Sequence, residues 1–369
     1  MTRTARVHRV PMPDPGDCGA LAALIDAGTI DPARIVAVMG KTPGNGLTND
    51  HTREFATVTV AGELARRLGV APAEVRARVL FVLSGGTEGM NAPHLLVFCA
   101  GPSAAAEGDE RALALATAAS VPLAPEAIGR AAQIAATADA VRAAMAEAGI
   151  TDPADVAFVQ VKCPIPMPGD FHDPARAAGL SAASIGTIKG RSRAASALGV
   201  AVALGDVGVE DATEAAIAAR PDLFTGRACV TAGIDDDRAS VLVLGNARGW
   251  SGPQSVGSTT MRDPLDAPAV AALLRRLGMT LAGGQAEPAG PLRLAGLIVK
   301  GEPPATDRLR GAQHVMLDDS DIHPVRHYRA FMSGVLGAVT GDTHVYLSGG
   351  AEHQGPPGGA VVAAIVERQ

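Results

Sequence analysis

The chain has 369 residues, a length typical of two or three domains. Apolar residues make up 47% of it and aromatic residues only 3%, so we expect a core of Ala, Val, Leu and Ile side chains. The formal net charge is −6 and no block of basic residues is present, which argues against nucleic acid and anionic membranes as partners.

The N-terminal residues carry arginines but no apolar stretch, so they do not resemble a secretory signal. No apolar run approaches the length of a membrane span. The four cysteines are scattered and lack CxxC spacing, which argues against a zinc ribbon or a disulfide framework and predicts a protein of the reducing cytoplasm.

The first predicted elements form one unit. Apolar residues at helical spacing over 16–28 predict a helix, and an Asp-Pro turn then leads into a strand that ends at Lys41. A glycine-rich loop follows, and a helix beginning near Asp50 or Thr52 carries Arg53 in its first turn. A strand over 79–83 then ends at Ser84-Gly85-Gly86.

The second unit repeats the first. Small and polar residues over 101–110 predict a linker. Beyond it, AAMAEAGITDPADVAFVQVK (143–162) matches AALIDAGTIDPARIVAVMGK (22–41) in its Ala-Gly break, its Asp-Pro-Ala turn and the distance to the lysine. Agreement of a helix end, a turn and a strand end in one register indicates an internal repeat. A helix from about Ser192 then contains Arg193, and the run RACVTAG (227–233) contains Thr231.

A second linker is predicted over 247–260, and a third unit follows it. Its elements are a helix over 267–278, a strand ending at Lys300, a helix containing Arg329 and a strand ending at Ser348. We therefore predict an α/β fold of three homologous repeat units with pseudo-threefold symmetry around a central active site. The predicted units span residues 1–103, 112–249 and 255–369.

Each unit offers one lysine, one arginine and one hydroxyl at matched positions. These sets are Lys41, Arg53, Ser84; Lys162, Arg193, Thr231; and Lys300, Arg329, Ser348. Arg326, one helical turn earlier, is the alternative to Arg329, which we prefer because RAFMS resembles REFAT. A single lysine at a strand end, a single Ser-Gly turn or a first-turn arginine is ordinary, but their threefold repetition favours a shared pocket.

Converging cations suggest both catalysis and binding. Burial and neighbouring positive charges lower the pKa of a lysine, which can then take the proton of a hydroxyl nucleophile. Glycines beside the hydroxyl leave backbone N–H groups open to a substrate oxygen or an oxyanion. A pseudo-threefold pocket best fits a ligand with three equivalent carbonyl and N–H edges.

The loop GAEHQGPPGG (350–359) suggests a cation site. Its carbonyl and amide oxygens, with one carboxylate from Glu302, are ligands typical of Mg²⁺ or Ca²⁺, although a rigid turn without an ion fits the composition equally well. A metal site built from the five histidines near the C-terminus is not favoured. GKTPGNG (40–46) lacks the order of a phosphate-binding P-loop.

Six motifs resemble one known family, the ring-opening amidohydrolases, which comprise cyanuric acid hydrolases and barbiturases. The motifs are VAVMGKTPGNGLTNDHTRE (36–54), FVLSGGTEGMNAPH (81–94), FVQVKCP (158–164), SRAASALG (192–199), MLDDSDI (316–322) and YLSGGAEHQGPPGG (346–359). The chain is most similar to the cyanuric acid hydrolase branch, with barbiturase, which opens barbituric acid to ureidomalonate, as the alternative.

The resemblance implies three α/β units around a central site that opens an s-triazine-trione ring to carboxybiuret. It implies a Ser–Lys dyad in the second unit with Lys162 as base, no cofactor for the chemistry, and a homotetramer. Substrate contacts are implied for the other lysines, the arginines and the hydroxyl–glycine pairs: Lys41, Arg53, Ser84, Gly85, Arg193, Thr231, Ala232, Lys300, Arg329, Ser348 and Gly349. A structural Mg²⁺ or Ca²⁺ is implied at Glu302, Ala351, Gln354, Gly355, Pro356 and Gly359.

One position departs from the family pattern. Thr231 stands where the family has serine, and Cys229 also stands where serine is common. The extra methyl of threonine restricts χ1 and crowds a tight pocket. The sequence thus leaves open slow turnover through Thr231, a binding protein without turnover, or use of Lys41–Ser84 or Lys300–Ser348 instead.

Overall fold

The structure, a computed structural model, describes most of the chain. The described residues are 2–47, 49–104, 110–166, 168–171, 185–233, 236–287, 292–315, 317 and 323–368. The predicted linker over 101–110 and the motif over 316–322 lie partly outside these ranges.

The first unit is built around four strands ordered β3-β2-β4-β1. Its elements are β1 (Arg3–Pro11), α1 (Gly19–Asp26), β2 (Ile35–Thr42), α2 (Thr52–Leu68), α3 (Pro72–Arg78), β3 (Leu80–Gly85) and β4 (His94–Pro102). The neighbours β2 and β3 run parallel, whereas β4 runs antiparallel to both β2 and β1.

The second unit repeats the strand arrangement of the first. Its elements are β5 (Ala112–Ala119), α4 (Ala131–Ala148), β6 (Val156–Pro164), α5 (Ile185–Leu204), β7 (Ala228–Gly233) and β8 (Ser240–Ala247). The strands lie in the equivalent order β7-β6-β8-β5. Again the central pair, β6 and β7, is parallel.

The third unit repeats the pattern once more. Its elements are β10 (Gln254–Met261), α6 (Ala267–Arg276), β13 (Leu292–Gly301), α7 (Pro324–Thr340), β16 (Tyr346–Ser348) and β17 (Ala360–Arg368). The strand order is β16-β13-β17-β10, with β13 and β16 parallel. Short strands add β9 (Trp250–Ser251) to the first sheet and form two hairpins, β11 (Leu281–Ala282) with β12 (Gln285–Ala286) and β14 (Arg308–Leu309) with β15 (Ala312–Gln313). The predicted α/β fold of three repeats is confirmed.

The three sheets share one core. Inner-face side chains of all three units, among them Met39, Phe158 and Ile298, belong to one buried apolar cluster. Two further clusters lie between the first and third sheets and their own helices, and another packs α4 against α5 and the segment that follows it. Because mainly small aliphatic side chains fill these layers, as the low aromatic content predicts, the helices lie close to the sheets.

The repeated Asp-Pro-Ala turn has a local cause. The side chains of Asp31 and Asp152 each accept a hydrogen bond of 2.9 Å from the backbone N–H two residues later, at Ala33 and Ala154. The proline between the aspartate and the alanine stands at the first position of the helical turn, where it has no N–H that needs a hydrogen-bond partner. The motif therefore fixes how the chain enters β2 and β6, the strands that carry Lys41 and Lys162.

Two predicted boundaries are wrong. The predicted linker over 247–260 contains β9 and β10, and β10 pairs along its whole length with β17. The strand was not predicted because this segment is rich in glycine and hydroxyl residues, which give little of the apolar–polar alternation by which a strand is recognised. The helix predicted from about Ser192 begins at Ile185, so Arg193 lies in its third turn. Among the described helices, none is long and apolar enough to cross a bilayer.

Candidate active site

A cavity of about 500 Å³ lies where the parallel strand pairs of the three units end. It draws residues from every unit, as the repeat predicts. Predicted residues on its wall are Arg53, Ser84, Gly85, Arg193, Thr231, Ala232, Lys300, Arg329, Ser348 and Gly349. The structure therefore brings together ten of the predicted binding residues in one pocket.

Two lysine–serine pairs are formed at this pocket. Lys41 is opposite Ser84 in the register of β2 and β3, and its Nζ donates to Ser84 Oγ at 3.2 Å and to Gly85 O at 2.8 Å. Lys300 and Ser348 repeat this arrangement in the third unit, with Nζ 3.2 Å from Oγ and 2.7 Å from Gly349 O. The same register therefore gives the same contact in two units.

Both lysines are fully buried, and their electrostatics follow from this. Burial, together with the charge of Arg329, lowers the pKa of Lys41 well below its usual value. Burial lowers the pKa of Lys300 to about 8. A lysine whose pKa is lowered towards neutral pH can exchange a proton with a hydroxyl at ordinary pH.

The second unit differs. Lys162 and Thr231 are opposite each other in the register of β6 and β7, as in the other two pairs. Lys162, however, lines a different cavity with Arg76, Asp236 and Arg238. Thr231 Oγ1 instead accepts a hydrogen bond from Gln160 Nε2 at 3.4 Å. The structure thus places Thr231 in the central pocket and Lys162 outside it.

The arginines are held by carboxylates and backbone carbonyl groups. Arg329 donates from Nε and Nη2 to the Glu88 carboxylate at 2.8 and 2.5 Å. Arg193 does the same to Glu352 at 2.8 and 2.5 Å. Arg53 instead donates to the carbonyl oxygens of Leu47 and Asp50. The guanidinium groups therefore have fixed positions at the pocket wall before any ligand binds.

Sequence reasoning missed several residues of this site. Lys189 lines the pocket, and burial with the nearby charge of Arg193 lowers its pKa to about 8. His323 lies on the same wall. Glu88 and Glu352 carried a detectable signal, since each stands four residues after the serine of its unit. Lys189 and His323 could not be found from the repeat, because no lysine or histidine recurs at the equivalent positions of the other units.

The predicted cation loop brings one carboxylate to several carbonyl groups. Glu302 Oε2 accepts a hydrogen bond of 2.9 Å from the Ala351 N–H, and burial raises the pKa of this carboxyl. Gln354 Oε1 accepts from Val230 N, and Gly359 O accepts from the Tyr328 hydroxyl. Each of these oxygens keeps a lone pair.

The donor set fits a hard cation, because a positive charge would offset the cost of burying the Glu302 carboxylate beside carbonyl oxygens. Within the part of the chain that the structure describes, no three His, Cys, Asp or Glu side chains cluster to hold a metal. The predicted set does not depend on such a cluster, because Glu302 is its one carboxylate. Gly355 and Pro356 complete the loop beside a small cavity of about 150 Å³ that Glu302 and Ala351 also line.

Comparisons with known proteins agree with this architecture. A family model described as "Amidohydrolase ring-opening protein" matches residues 6–367. A cyanuric acid amidohydrolase of Ectopseudomonas oleovorans is 47% identical over 98% of this chain and 99% of its own length. A cyclic amide hydrolase of Azorhizobium caulinodans is 42% identical over 98% of both chains.

Two solved structures share the whole fold. One, described as "Cyanuric acid hydrolase: evolutionary innovation by structural concatenation", has a TM-score of 0.91 and 38% identity and covers 100% of both chains. The other, a cyanuric acid hydrolase of A. caulinodans, has a TM-score of 0.87 and 44% identity, covering 100% of this chain and 99% of its own.

Proposed function

This chain belongs to the family of ring-opening amidohydrolases, and we propose that it opens the ring of cyanuric acid by hydrolysis to give carboxybiuret. The observation that carries the proposal is the central pocket, to which each unit contributes an arginine and a hydroxyl position. Cyanuric acid has three equivalent carbonyl groups and three N–H groups, so its symmetry matches that of the pocket.

Three arginines and the backbone at Gly85, Ala232 and Gly349 supply positive charge and donors around the ring. Interactions with carbonyl oxygens strengthen as negative charge develops on the attacked carbonyl, so they favour the transition state over the bound substrate. The glycines matter because they allow close approach of the ring to the backbone. The pocket is thus suited to polarise a cyclic amide.

The proposed reaction begins when a lysine amine takes the proton of a hydroxyl and the oxygen attacks a ring carbonyl. The ring C–N bond then breaks, and the lysine returns the proton to the departing nitrogen. A carbamoyl ester remains on the enzyme. Water attacks this ester with help from the same amine, which releases the product carboxylate and restores the hydroxyl.

We assign the attack to Thr231 with Lys162 as base, as the family pattern implies. The support is that Thr231 lines the pocket and that Lys162 has the register that gives a Lys–Ser contact in the other two units. We propose that a change of rotamer at Lys162 brings its amine to Thr231, which it faces in the strand register. The second candidate is Lys300 with Ser348, because that contact is already formed.

A substrate panel tests the function. We expect the purified protein to consume cyanuric acid, followed as loss of ring absorbance, and barbituric acid at least about tenfold more slowly. Barbituric acid lacks one of the three ring N–H groups, so it leaves a part of the pocket unpaired. Faster loss of barbituric acid would make the protein a barbiturase, and no turnover of either ring would refute hydrolysis and leave a binding protein.

Four variants at the hydroxyl positions identify the nucleophile. We expect Thr231→Ala to lower kcat at least about 100-fold, and Thr231→Ser to equal or exceed the parent because it removes the crowding methyl. Ser84→Ala is the matched control within the same pocket, with a smaller expected loss. If Ser348→Ala abolishes activity while Thr231→Ala retains it, the chemistry belongs to Lys300 and Ser348.

We further propose that the loop after Ser348 holds Mg²⁺ or Ca²⁺, with Glu302 as its carboxylate ligand and oxygens of Ala351, Gln354, Gly355, Pro356 and Gly359 as the other donors. The bound ion would supply structural stability to the loop rather than a step of the reaction. Its charge would also offset the buried carboxylate.

Chelation tests the cation site. We expect metal analysis to find about one Mg²⁺ or Ca²⁺ per chain and EDTA to lower the melting temperature by several degrees, because a ligand at 100 times its Kd adds about 2.7 kcal/mol. Glu302→Gln should abolish the response to EDTA. The control Glu54→Gln removes an exposed carboxylate paired with Arg76 and should keep it. An EDTA response in Glu302→Gln equal to that of the parent would contradict the site.

Two further properties remain proposals. The family resemblance implies a homotetramer, which light scattering during size-exclusion chromatography would measure. A reducing cytoplasm is the proposed location, supported by the four cysteines, all of which are free thiols.

A further inference from the structure

The hydroxyl positions belong to a longer repeated motif. Ser84-Gly-Gly-Thr-Glu88 in the first unit matches Ser348-Gly-Gly-Ala-Glu352 in the third. The second unit has Thr231-Ala-Gly-Ile-Asp235, whose last residue lies outside the described residues. Each motif therefore ends in an acid four residues after its hydroxyl, and the proposed reaction gives that acid no role.

These acids contact arginines of other units. Glu88 of the first unit binds Arg329 of the third unit, and Glu352 of the third unit binds Arg193 of the second. Both contacts are two-point contacts through Nε and Nη2. The remaining nitrogen, Nη1, donates to no other described residue in either arginine.

The pairs are removed from water. Only 5% of the Arg329 side chain and 10% of the Glu88 side chain are exposed, and for Arg193 and Glu352 the values are 14% and 23%. Burial alone would raise the pKa of Glu88, but the hydrogen bonds and charge of Arg329 hold it below its usual value. Both carboxylates are thus ionised when they hold the guanidinium group.

The third residue of the motif, Gly86 or Gly350, leaves room for the arginine side chain. A Cβ at Gly86 would lie 2.6 Å from Nη2 of Arg329, and one at Gly350 would lie 2.8 Å from Cζ of Arg193. Both glycines also have positive φ, at 92° and 74°. Other residues therefore could not occupy these positions without displacing the arginine.

We propose that Glu88 and Glu352 are positioning residues, each of which holds the arginine of a neighbouring unit at the ring-binding pocket. The inference rests on the proposed function, since the arginines are proposed to bind the ring carbonyls. The cyanuric acid pocket is then complete only when adjoining units are docked together.

Glu88→Gln and Glu352→Gln test this role, because glutamine keeps the shape and one acceptor while removing the charge. We expect each to weaken the affinity for cyanuric acid, measured by calorimetry, at least about tenfold. We also expect KM to rise by a larger factor than kcat falls, because the variants misplace a ring-binding arginine and leave the lysine–hydroxyl pairs in place. A merely structural role would lower kcat and leave the affinity of the folded protein unchanged.

Two variants serve as controls. Glu88→Asp keeps the charge and should recover most of the affinity. Glu214→Gln removes an exposed carboxylate paired with Arg130 and should behave as the parent. Parent affinity in both the Glu88→Gln and Glu352→Gln variants would overturn the proposal.

The outcome separates this inference from the reaction itself. If the parent binds cyanuric acid without consuming it, hydrolysis is refuted while the calorimetric comparison still decides the positioning role. If the parent does not bind the ring, both the reaction and the positioning role are overturned.

Discussion

Replacing Arg329 by methionine is expected to lower the free energy of unfolding by about 3 kcal/mol, because the carboxylate of Glu88 then keeps only the more exposed Arg326 as a partner. Methionine fills much of the volume, so the loss arises from the charge rather than from a cavity. We also expect kcat/KM to fall at least about 100-fold, since the third unit no longer polarises a ring carbonyl.

Arg326 provides a matched control on the same helix. It lies one turn earlier and contacts the same carboxylate, with Nε 3.3 Å from Glu88 Oε1, but 43% of its side chain is exposed. Exposed ion pairs contribute about 0–1 kcal/mol, so Arg326→Met should have a small effect on both measurements. The comparison also decides which arginine of the third unit faces the substrate, a choice that the sequence left between two residues.

Urea denaturation and steady-state kinetics of the two variants give the measurement. The combined variant Arg329→Met/Glu88→Gln should recover part of the lost stability, because it no longer buries an unpaired charge. Equal losses of stability and of kcat/KM in Arg326→Met and Arg329→Met would contradict the assignment of Arg329 as the arginine that faces the substrate. Additive losses of stability in the combined variant would contradict its pairing with Glu88.

The repeat explains how far the sequence could predict this site. Lys41, Ser84, Lys300 and Ser348 were predicted as pairs from strand ends alone, and the structure forms both pairs. Strand ends are predictable because a parallel pair places the last residues of both strands at one edge. The prediction depended on backbone register, which the repeated turn fixes.

Side-chain direction was not predictable in the same way. Lys162 has the register of the other lysines, yet it lines a different cavity, because a lysine side chain can turn through several rotamers at little cost. The contacts of Arg329 with Glu88 join residues 241 positions apart, so no local pattern reports them. Only the recurrence of an acid four residues after the serine pointed to Glu88.

The antiparallel strands were the largest omission from the predicted fold. β1, β4, β5, β8, β10 and β17 lie beside the parallel pairs in all three sheets. Several of them are rich in alanine or glycine, whose low β-propensity conceals a strand in a sequence window. Their pairing with β2, β6 and β13 supplies what the local sequence lacks.

The buried lysines show how the same charges oppose stability and favour reactivity. The pKa of Lys300 is about 8 in the folded chain and 10.5 in an ordinary lysine. Between these values the unfolded chain binds more protons than the folded one, so Lys300 makes the free energy of unfolding rise with pH. Below about pH 8 its full destabilising effect is present.

Lys300→Met is therefore expected to be less active but more stable at pH 7. The pKa difference corresponds to roughly 3 kcal/mol, and the lost hydrogen bonds to Ser348 and Gly349 cost about 1 kcal/mol each, which leaves a gain of about 1 kcal/mol. Loss of the amine from the lysine–serine pair should lower kcat/KM about 10²–10³-fold. The dependence of stability on pH between 8 and 10.5 should also become shallower.

Lys189→Met is the matched comparison, because burial lowers the pKa of Lys189 to about the same value, whereas this lysine lies outside the three lysine–hydroxyl pairs. We expect a similar change in the pH dependence of stability with at most about a tenfold loss of kcat/KM. Denaturation curves at pH 7 and 10 separate the two effects. A free energy of unfolding at pH 7 that is lower for Lys300→Met than for the parent would show that the amine stabilises the fold. Burial of the Lys300 charge would then not lower the stability of the protein.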